Sequence, residues 1–225
     1  MKKTNKTKKE EIFVNIAGFV VKISLFPTEQ KYLKESVHSQ IKGVWQDGGF
    51  FTKKEKRADF EIVFREPNNK IYLIQKEKGK KHYYLVFERD FKKRIVKTHY
   101  FTSIAHLNMI VREIVVYLLR GLGFLVHASA LIDKKGNFYV FMAKSGGGKT
   151  TVADTISKNS YFEKVADDSL IVKKQNGEWY FYSSPFIEKD ELPIHSWSKK
   201  AKIFFVKKGK KAKVVKYKSD VIKPL

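Results

Sequence analysis

The sequence predicts a mixed α/β fold, and two observations support that prediction. Through much of the first hundred residues apolar and polar positions alternate, which is typical of strands that bury one face. From residue 104 the apolar positions take the spacing of a helix, and strands and helices then follow each other around a glycine-rich segment. We therefore expect a basic tail over residues 1–10, a β-rich part over residues 11–102 and an α/β core over residues 103–225.

The β-rich part is predicted to be a small antiparallel meander. Residues 12–26 indicate two short strands, which are separated at Ala17 and Gly18. Residues 27–58 are mixed and carry turn signals. Beyond them three further strands are expected in antiparallel order, over residues 60–65, 71–74 and 83–87.

The second part is predicted to begin with a long amphipathic helix. Apolar residues recur at helical spacing over residues 104–119, with Ser103 as the N-cap and Gly121 at the end. We expect this helix to lie under the second half of the chain. The remaining elements are strands over residues 124–132, 138–142 and 162–166, a helix over residues 149–157, and hairpins that pair residues 170–172 with 179–182 and 203–206 with 214–217.

The composition is that of a globular chain with a large excess of positive charge. Hydrophobic residues make up 43% of the 225 positions, and 46 basic residues against 23 acidic ones give a formal net charge of +23. Nucleic acid would suit that charge, but only six of the basic residues are arginine, whose planar fork favours bases and phosphates. The lysines are spread along the whole chain, so a coding bias explains them equally well, and a nucleic-acid partner is not expected.

Three absences in the sequence exclude further classes of protein. There are no cysteines, which excludes disulfides, thiolate zinc sites and cysteine nucleophiles. No apolar run approaches the roughly 20 residues that span a bilayer, and no apolar stretch follows the basic start as it would in a signal peptide. The expected location is the cytoplasm, with no membrane span.

Residues 143–150 (AKSGGGKT) have the features of a phosphate-binding loop. They lie between an apolar strand and a predicted helix, which is the setting that such a loop requires. Glycines let successive N–H groups turn inward around an anion, and the following helix points its positive end at the phosphates. Lys149 would reach the β- and γ-phosphates of a nucleotide, and the Thr150 hydroxyl would bind Mg²⁺. Ala143 stands where the usual pattern has its first glycine, and a left-handed backbone there would cost about 1–2 kcal/mol.

Three motifs in the second part resemble those of one family. Residues 145–151 (SGGGKTT) resemble the serine-glycine form of the loop in HPr kinase/phosphorylase and phosphoenolpyruvate carboxykinase. Residues 165–168 (VADD) look like the paired-aspartate motif that follows this loop in HPr kinase-like proteins. Residues 125–130 (LVHASA) resemble the histidine-bearing strand that precedes it. In order and spacing, the three motifs match the HPr kinase-related proteins over roughly residues 105–190.

This resemblance implies a fold and an activity. The implied fold is an HPr kinase/phosphoenolpyruvate-carboxykinase-like P-loop core with a mixed sheet, and the implied activity is that of an ATP- and Mg²⁺-dependent kinase. Asp167 looks like the general base, and Asp168 looks like its neighbour at the metal, although the two roles can be exchanged. His127 matches the histidine that tunes the acid/base aspartate, while an isolated histidine in an apolar strand is also typical of a hydrogen-bonded core residue. The aspartate pair also fits a solvated turn.

The resemblance also implies which residues bind the nucleotide, which bind the metal, and what the acceptor is. The acceptor is expected to be a hydroxyl, either a serine of a peptide or small protein or a group on a small molecule. The nucleotide is implied to bind to Ser145, Gly146, Gly147, Gly148, Lys149, Thr150 and Thr151, and Mg²⁺ to Thr150 and Asp168.

The C-terminal segment departs from the family pattern. Residues 184–188 (SPFIE) resemble its proline-containing turn, in which Glu188 could serve the metal or the acceptor or be a surface carboxylate. A glycine-rich signature of HPr kinases proper has no counterpart after the loop, so HPr itself is in doubt as the acceptor. The sequence ends at Leu225 where relatives continue, so we expect acceptor-docking elements to be missing or remodelled.

Two other classes of function compete with the kinase hypothesis. One is a catalytically silent nucleotide-binding sensor or scaffold, which the alanine in the loop and the C-terminal departure favour. The other is nucleic-acid binding through the basic surface, which predicts an affinity that falls steeply with salt. Relatives assemble into oligomers, so a homo-oligomer is implied by the resemblance.

Overall fold

The computed structural model describes residues 9–28, 31–53, 57–65, 72–77, 80–85, 88–100, 104–186, 193–209 and 214–215. Over these residues the chain is mixed α/β, as the sequence predicts, with strands in several sheets and three α-helices. None of these helices has the length and apolar character needed to cross a membrane.

Among its described residues, the first part contains seven strands and one α-helix. The strands are β1 (Glu10–Ile16), β2 (Phe19–Leu25), β3 (Phe60–Arg65), β4 (Tyr72–Glu77), β5 (Lys80–Leu85), β6 (Glu88–Asp90) and β7 (Ile95–His99). The helix α1 (Lys31–Ile41) runs on into a π-helical turn, Lys42–Gln46, in a region where the sequence indicated no helix.

The predicted meander is only partly correct. The pairs β1–β2 and β4–β5 are antiparallel hairpins as expected, and Ala17 and Gly18 form the first turn with φ of 52° and 81°. However, β3 runs parallel to both β2 and β7, in a sheet of order β1-β2-β3-β7-β6, while β4 and β5 form a sheet of their own. A parallel neighbour needs a long crossover, which α1 supplies between β2 and β3.

The long helix α2 (Ile104–Leu118) forms as predicted, but its environment differs from the prediction. Its buried face belongs to the largest core of the described residues, together with the first sheet and with Ile171 and Tyr182 of the second part. The helix therefore packs against both parts rather than under the second half alone. Gly121 follows its end with φ of 72°, and the predicted cap Ser103 lies outside the described residues.

After α2, the described residues of the second part form two four-stranded sheets and one further helix. Its elements are β8 (Gly123–Val126), β9 (Ala128–Asp133), β10 (Phe138–Met142), α3 (Lys149–Ser157), β11 (Phe162–Ala166), β12 (Leu170–Gln175), β13 (Glu178–Ser183), β14 (Trp197–Ser198) and β15 (Ala201–Phe205). One sheet has the order β11-β9-β10-β15 and the other β14-β13-β12-β8. The first packs α3 on one face and the second sheet on the other.

Two predicted features of this part need correction or completion. The single strand expected over residues 124–132 is broken at His127, because β8 pairs with β12 whereas β9 pairs with β10 and β11. The hairpin β12–β13 is confirmed, with Asn176 and Gly177 in the left-handed turn. The other predicted hairpin, between residues 203–206 and 214–217, is not seen in the described residues. β15 instead pairs in parallel with β10, residues 214–215 form no strand, and residues 216–217 lie outside the described residues.

The topology brings three strand ends to one edge of the sheet. β10 and β11 are both antiparallel to β9, and β15 is parallel to β10, so all three point the same way. Their carboxyl ends lead into the glycine-rich loop, the aspartate pair and Val206. In open α/β sheets ligands bind outside the carboxyl ends of the parallel strands. This edge is therefore the natural place for a site.

Candidate active site

The glycine-rich loop joins β10 directly to α3. Gly146 and Gly148 have φ of 69° and 95°, which a residue with a Cβ adopts only at a cost. The loop turns on itself through a hydrogen bond from the Gly147 N–H to the Lys144 carbonyl, at 2.8 Å. A Cβ on Gly147 would lie 2.6 Å from the Ala143 Cβ. Each of the three glycines is thus required by backbone geometry.

Ala143 does not carry the strain that the sequence suggested. It is absent from the residues with positive φ in the described part of the chain. Its methyl group instead occupies space that a side chain on Gly147 would need. An alanine is therefore compatible with the loop, and its presence no longer argues against phosphate binding.

Lys149 and Asp168 form an ion pair at the mouth of the loop. Lys149 is the first residue of α3 and is only 7% exposed. Its Nζ lies 3.1 Å from Asp168 Oδ1. The amino end of α3 and this ammonium group thus place positive charge beside the glycine loop.

The Asp167 carboxylate is buried and is surrounded by hydrogen-bond donors. Its side chain is 2% exposed, and its Oδ1 accepts hydrogen bonds from Ser129 Oγ at 2.6 Å and from Thr150 Oγ1 at 2.8 Å. Lys164 Nζ lies 3.6 Å from the other carboxylate oxygen. A buried carboxylate is tolerated when it is paired and hydrogen-bonded in this way. These contacts fix the orientation of Asp167.

Asp168 is held differently from its neighbour. Its φ is 85°, unusual for a residue other than glycine, and its side chain is 36% exposed. His127 Nδ1 lies 3.0 Å from the Asp168 carbonyl oxygen and 3.8 Å from its carboxylate. The histidine side chain is 56% exposed at the break between β8 and β9, so it is not a core residue. The structure therefore brings His127 to Asp168, the more exposed of the two aspartates.

The structure brings most of the predicted site residues together. Lys149, Thr150, both aspartates and His127 meet at one edge of the sheet. Ser145 and Thr151 are exposed at either end of the loop, and Glu188 lies outside the described residues. Sequence reasoning did not identify three further contacts around the aspartates, made by Ser129, Lys164 and Arg112. Of these, only Ser129 had a signal, since it belongs to the histidine-bearing motif over residues 125–130.

The oxygen atoms at this edge suit a Mg²⁺ ion bound together with a phosphate. Thr150 and Asp167 share a hydrogen bond, and Asp168 presents a partly exposed carboxylate beside them. Mg²⁺ is usually bound by one or two carboxylates, with water and substrate phosphates completing the shell. In the part of the chain that the structure describes, no group of three or more acidic, histidine or cysteine side chains could hold a metal. Thr150 and the two aspartates supply oxygen ligands of the kind that such a shared Mg²⁺ ion uses.

Comparison of the sequence with protein-family models and with curated proteins finds no match to either. The resemblance to HPr kinase-related proteins therefore depends on the three sequence motifs alone.

Proposed function

We propose that this protein is an ATP- and Mg²⁺-dependent kinase that transfers the γ-phosphoryl group to a hydroxyl, with a serine of a peptide or small protein as the favoured acceptor. One observation carries the proposal. Lys149 and Thr150 are consecutive at the start of α3, and each contacts one of two consecutive aspartates, at 3.1 Å and 2.8 Å. Phosphoryl transfer needs this combination of a cation, a metal-binding hydroxyl and carboxylates close to the attacking oxygen.

The geometry favours Asp168 over Asp167 as the general base, which is the exchange of roles that the sequence left open. Oδ1 of Asp167 already accepts two hydroxyl hydrogen bonds, and the side chain is almost fully buried. Asp168 is exposed enough to meet an incoming hydroxyl. His127 is close enough to help position Asp168, since its Nδ1 lies 3.0 Å from the Asp168 carbonyl oxygen and 3.8 Å from the carboxylate.

The proposed reaction assigns one task to each residue. Backbone N–H groups of the loop and the ammonium group of Lys149 bind the phosphates, and Lys149 leaves Asp168 as it does so. Asp168 then accepts the proton of the acceptor hydroxyl, whose oxygen bonds to the γ-phosphorus. The bond between that phosphorus and the bridging oxygen breaks, and ADP leaves with the electron pair. Mg²⁺, when bound by Thr150 and Asp167, supplies neutralising charge on the phosphate oxygens.

A silent nucleotide sensor is the second candidate, and one contact favours it. The ion pair between Lys149 and Asp168 occupies both groups in the described structure. If ATP did not displace this contact, the protein would bind nucleotide without turnover. A kinase that acts on a small molecule shares the same site chemistry and differs only in the acceptor.

Transfer from labelled ATP tests the proposal. The full chain is incubated with Mg²⁺ and a peptide pool or lysate, beside Lys149→Ala and a matched control, Lys158→Ala, which removes an exposed lysine just beyond α3. We expect a labelled acceptor with the wild type and the control and none with Lys149→Ala. Tight ATP binding with neither transfer nor hydrolysis would instead support the sensor, and unaltered labelling by Lys149→Ala would refute the proposed site.

A further inference from the structure

We propose that Arg112 of α2 is a positioning residue for the aspartate pair, an inference that rests on the proposed function. Arg112 Nη1 donates a hydrogen bond to Ser169 Oγ at 2.9 Å. Ser169 directly follows Asp168 and is 1% exposed, so this hydrogen bond reaches into the turn that carries both carboxylates. A helix whose buried face belongs to the core of the first sheet thereby contacts the candidate site.

A second contact fixes the guanidinium group. The Arg112 Cζ lies 4.4 Å from the centre of the Phe186 ring, and that ring is 3% exposed. The preceding residue, Pro185, is itself anchored, because its carbonyl accepts a buried hydrogen bond from Trp45 Nε1 at 2.7 Å. A planar guanidinium can stack on a ring and donate along its edge at the same time, whereas an ammonium group cannot. The site therefore requires arginine rather than any cation.

The turn at Asp167 and Asp168, which we call the aspartate turn, needs side-chain contacts to hold its conformation. Asp168 has φ of 85°, a conformation that residues with a Cβ keep only when the surroundings impose it. Three side chains hold this residue and the next: Lys149 contacts the carboxylate, His127 the carbonyl oxygen, and Arg112 the following serine. Lys149 moves to the phosphates in the proposed reaction. Arg112 then maintains the turn during the step in which Asp168 takes the proton.

This role predicts a specific kinetic pattern. The contacts that give Arg112 its role reach Ser169 and Phe186, and neither of these belongs to the glycine-rich loop, so the loss of Arg112 should leave nucleotide binding nearly unchanged. A carboxylate displaced by a fraction of an ångström should nevertheless slow the transfer step, because general-base catalysis depends on close alignment. The defect should appear in kcat and not in the KM for ATP.

A double-mutant cycle tests the positioning role without any assay of transfer. Glycine adopts positive φ at no steric cost, so in Asp168→Gly the turn no longer needs support. We expect Arg112→Gln to lower the urea midpoint of the wild type more than that of Asp168→Gly. In Asp168→Asn, which removes the charge and keeps the Cβ, the full loss should persist. The proposal would be overturned if Arg112→Gln lowered the urea midpoint equally in the wild type and in Asp168→Gly. It would also be overturned if Arg112→Gln had no effect on the midpoint of Asp168→Asn.

Kinetic measurements complete the test with a gentler variant. Arg112→Lys keeps the charge and most of the stem, and Arg120→Lys is the matched control on an exposed arginine just beyond the end of α2. We expect kcat to fall at least tenfold for Arg112→Lys with the KM for ATP within twofold, and neither value to change for the control. An equal loss in nucleotide affinity would contradict a positioning role. If the wild type transfers no phosphate to any acceptor, the proposed function fails, whereas the unfolding cycle still decides the role of Arg112.

Discussion

At the scale of single residues, the two neighbouring carboxylates have very different surroundings. Asp167 is enclosed by hydroxyl donors, whereas Asp168 is partly exposed and lies beside a histidine. We predict that Asp168→Asn lowers the rate of phosphoryl transfer by about 10²–10⁴-fold, the usual contribution of a general base. ATP affinity should change little because the loop and Lys149 remain. Stability should also be kept, since asparagine tolerates positive φ.

Labelled-ATP transfer, ATP binding and thermal unfolding measured on one set of variants check this prediction. Asp90→Asn, at the partly exposed last residue of β6, is the matched control and should behave as the wild type. Retention of transfer by Asp168→Asn together with its loss in Asp167→Asn would restore the opposite assignment of the two roles.

The residues of the site were predictable where backbone geometry restricts the choice of amino acid. Gly146, Gly147 and Gly148 stand at positions that exclude a side chain or favour positive φ, so the sequence pattern marks them. The contacts of Lys164 and Arg112 were not predictable. Arg112 and Ser169 are distant in sequence, whereas Lys164 lies only three residues before Asp167, a spacing that in a regular strand directs side chains to opposite faces. A lysine or arginine in a strand or helix ordinarily indicates only an exposed position.

At the scale of elements, the short loop between β10 and α3 depends on one close backbone approach. A methyl group on Gly147 would meet Ala143 Cβ at 2.6 Å and the Lys144 carbonyl oxygen at 2.8 Å. We predict that Gly147→Ala opens the loop and lowers ATP affinity at least tenfold, which corresponds to about 1.4 kcal/mol of binding free energy. Titration with ATP and Mg²⁺ followed by calorimetry measures the effect.

The control for the loop variant is Gly43→Ala. Gly43 lies in the π-helical turn and does not have positive φ, and a methyl group added there would meet no atom within 4 Å. Gly43→Ala should therefore leave ATP affinity unchanged. Equal affinity for Gly147→Ala and the wild type would show that the loop does not bind phosphate through its backbone.

The predicted element boundaries were wrong where pairing with neighbouring strands, rather than the local sequence, determines them. Residues 124–132 are apolar without a glycine, proline or asparagine, so nothing local indicates that the chain passes from one sheet to another at His127. The parallel placement of β3 was likewise hidden, because alternation specifies which face is buried and not the direction of the partner. The helices α2 and α3 were predictable since their spacing is a local property.

At the scale of the whole molecule, buried histidines make stability depend on pH. His99 ends β7 and is 1% exposed, and burial, with a smaller effect of His106, lowers its pKa to about 4. Burial also lowers the pKa of His195. The unfolded chain, with a histidine pKa near 6.5, therefore takes up protons before the folded chain does. Stability is complete above that value and falls as the pH drops through 6.5 towards 4.

Urea denaturation at several pH values between 7 and 4.5 measures this dependence. We predict a loss in the free energy of unfolding that approaches about 3 kcal/mol from His99 at the acid end. His99→Gln should reduce the slope, since glutamine does not titrate in this range. A slope identical to that of the wild type would assign the dependence to other groups.

The two predicted parts of the chain share too much buried structure to unfold separately. Residues of α2, the first sheet and β12 lie in one core, Trp45 donates to the Pro185 carbonyl, and the buried Lys173 donates to the Ala17 carbonyl at 2.8 Å. We therefore predict a single cooperative transition for residues 11–102 and 103–225 together, because separating them would expose this core and break both hydrogen bonds.

Tryptophan fluorescence and circular dichroism, which report on different parts of the molecule, test that prediction. Trp45 is fully buried, whereas Trp179 and Trp197 are about half exposed, so the fluorescence change on unfolding comes mainly from the first part of the chain. Far-ultraviolet circular dichroism reports all elements at once. The two midpoints should coincide, and Lys173→Ala should lower both by the same amount. Separate transitions, or a Lys173→Ala shift seen by only one probe, would mean that the parts are independent folding units and that α2 does not couple the first sheet to the aspartate turn.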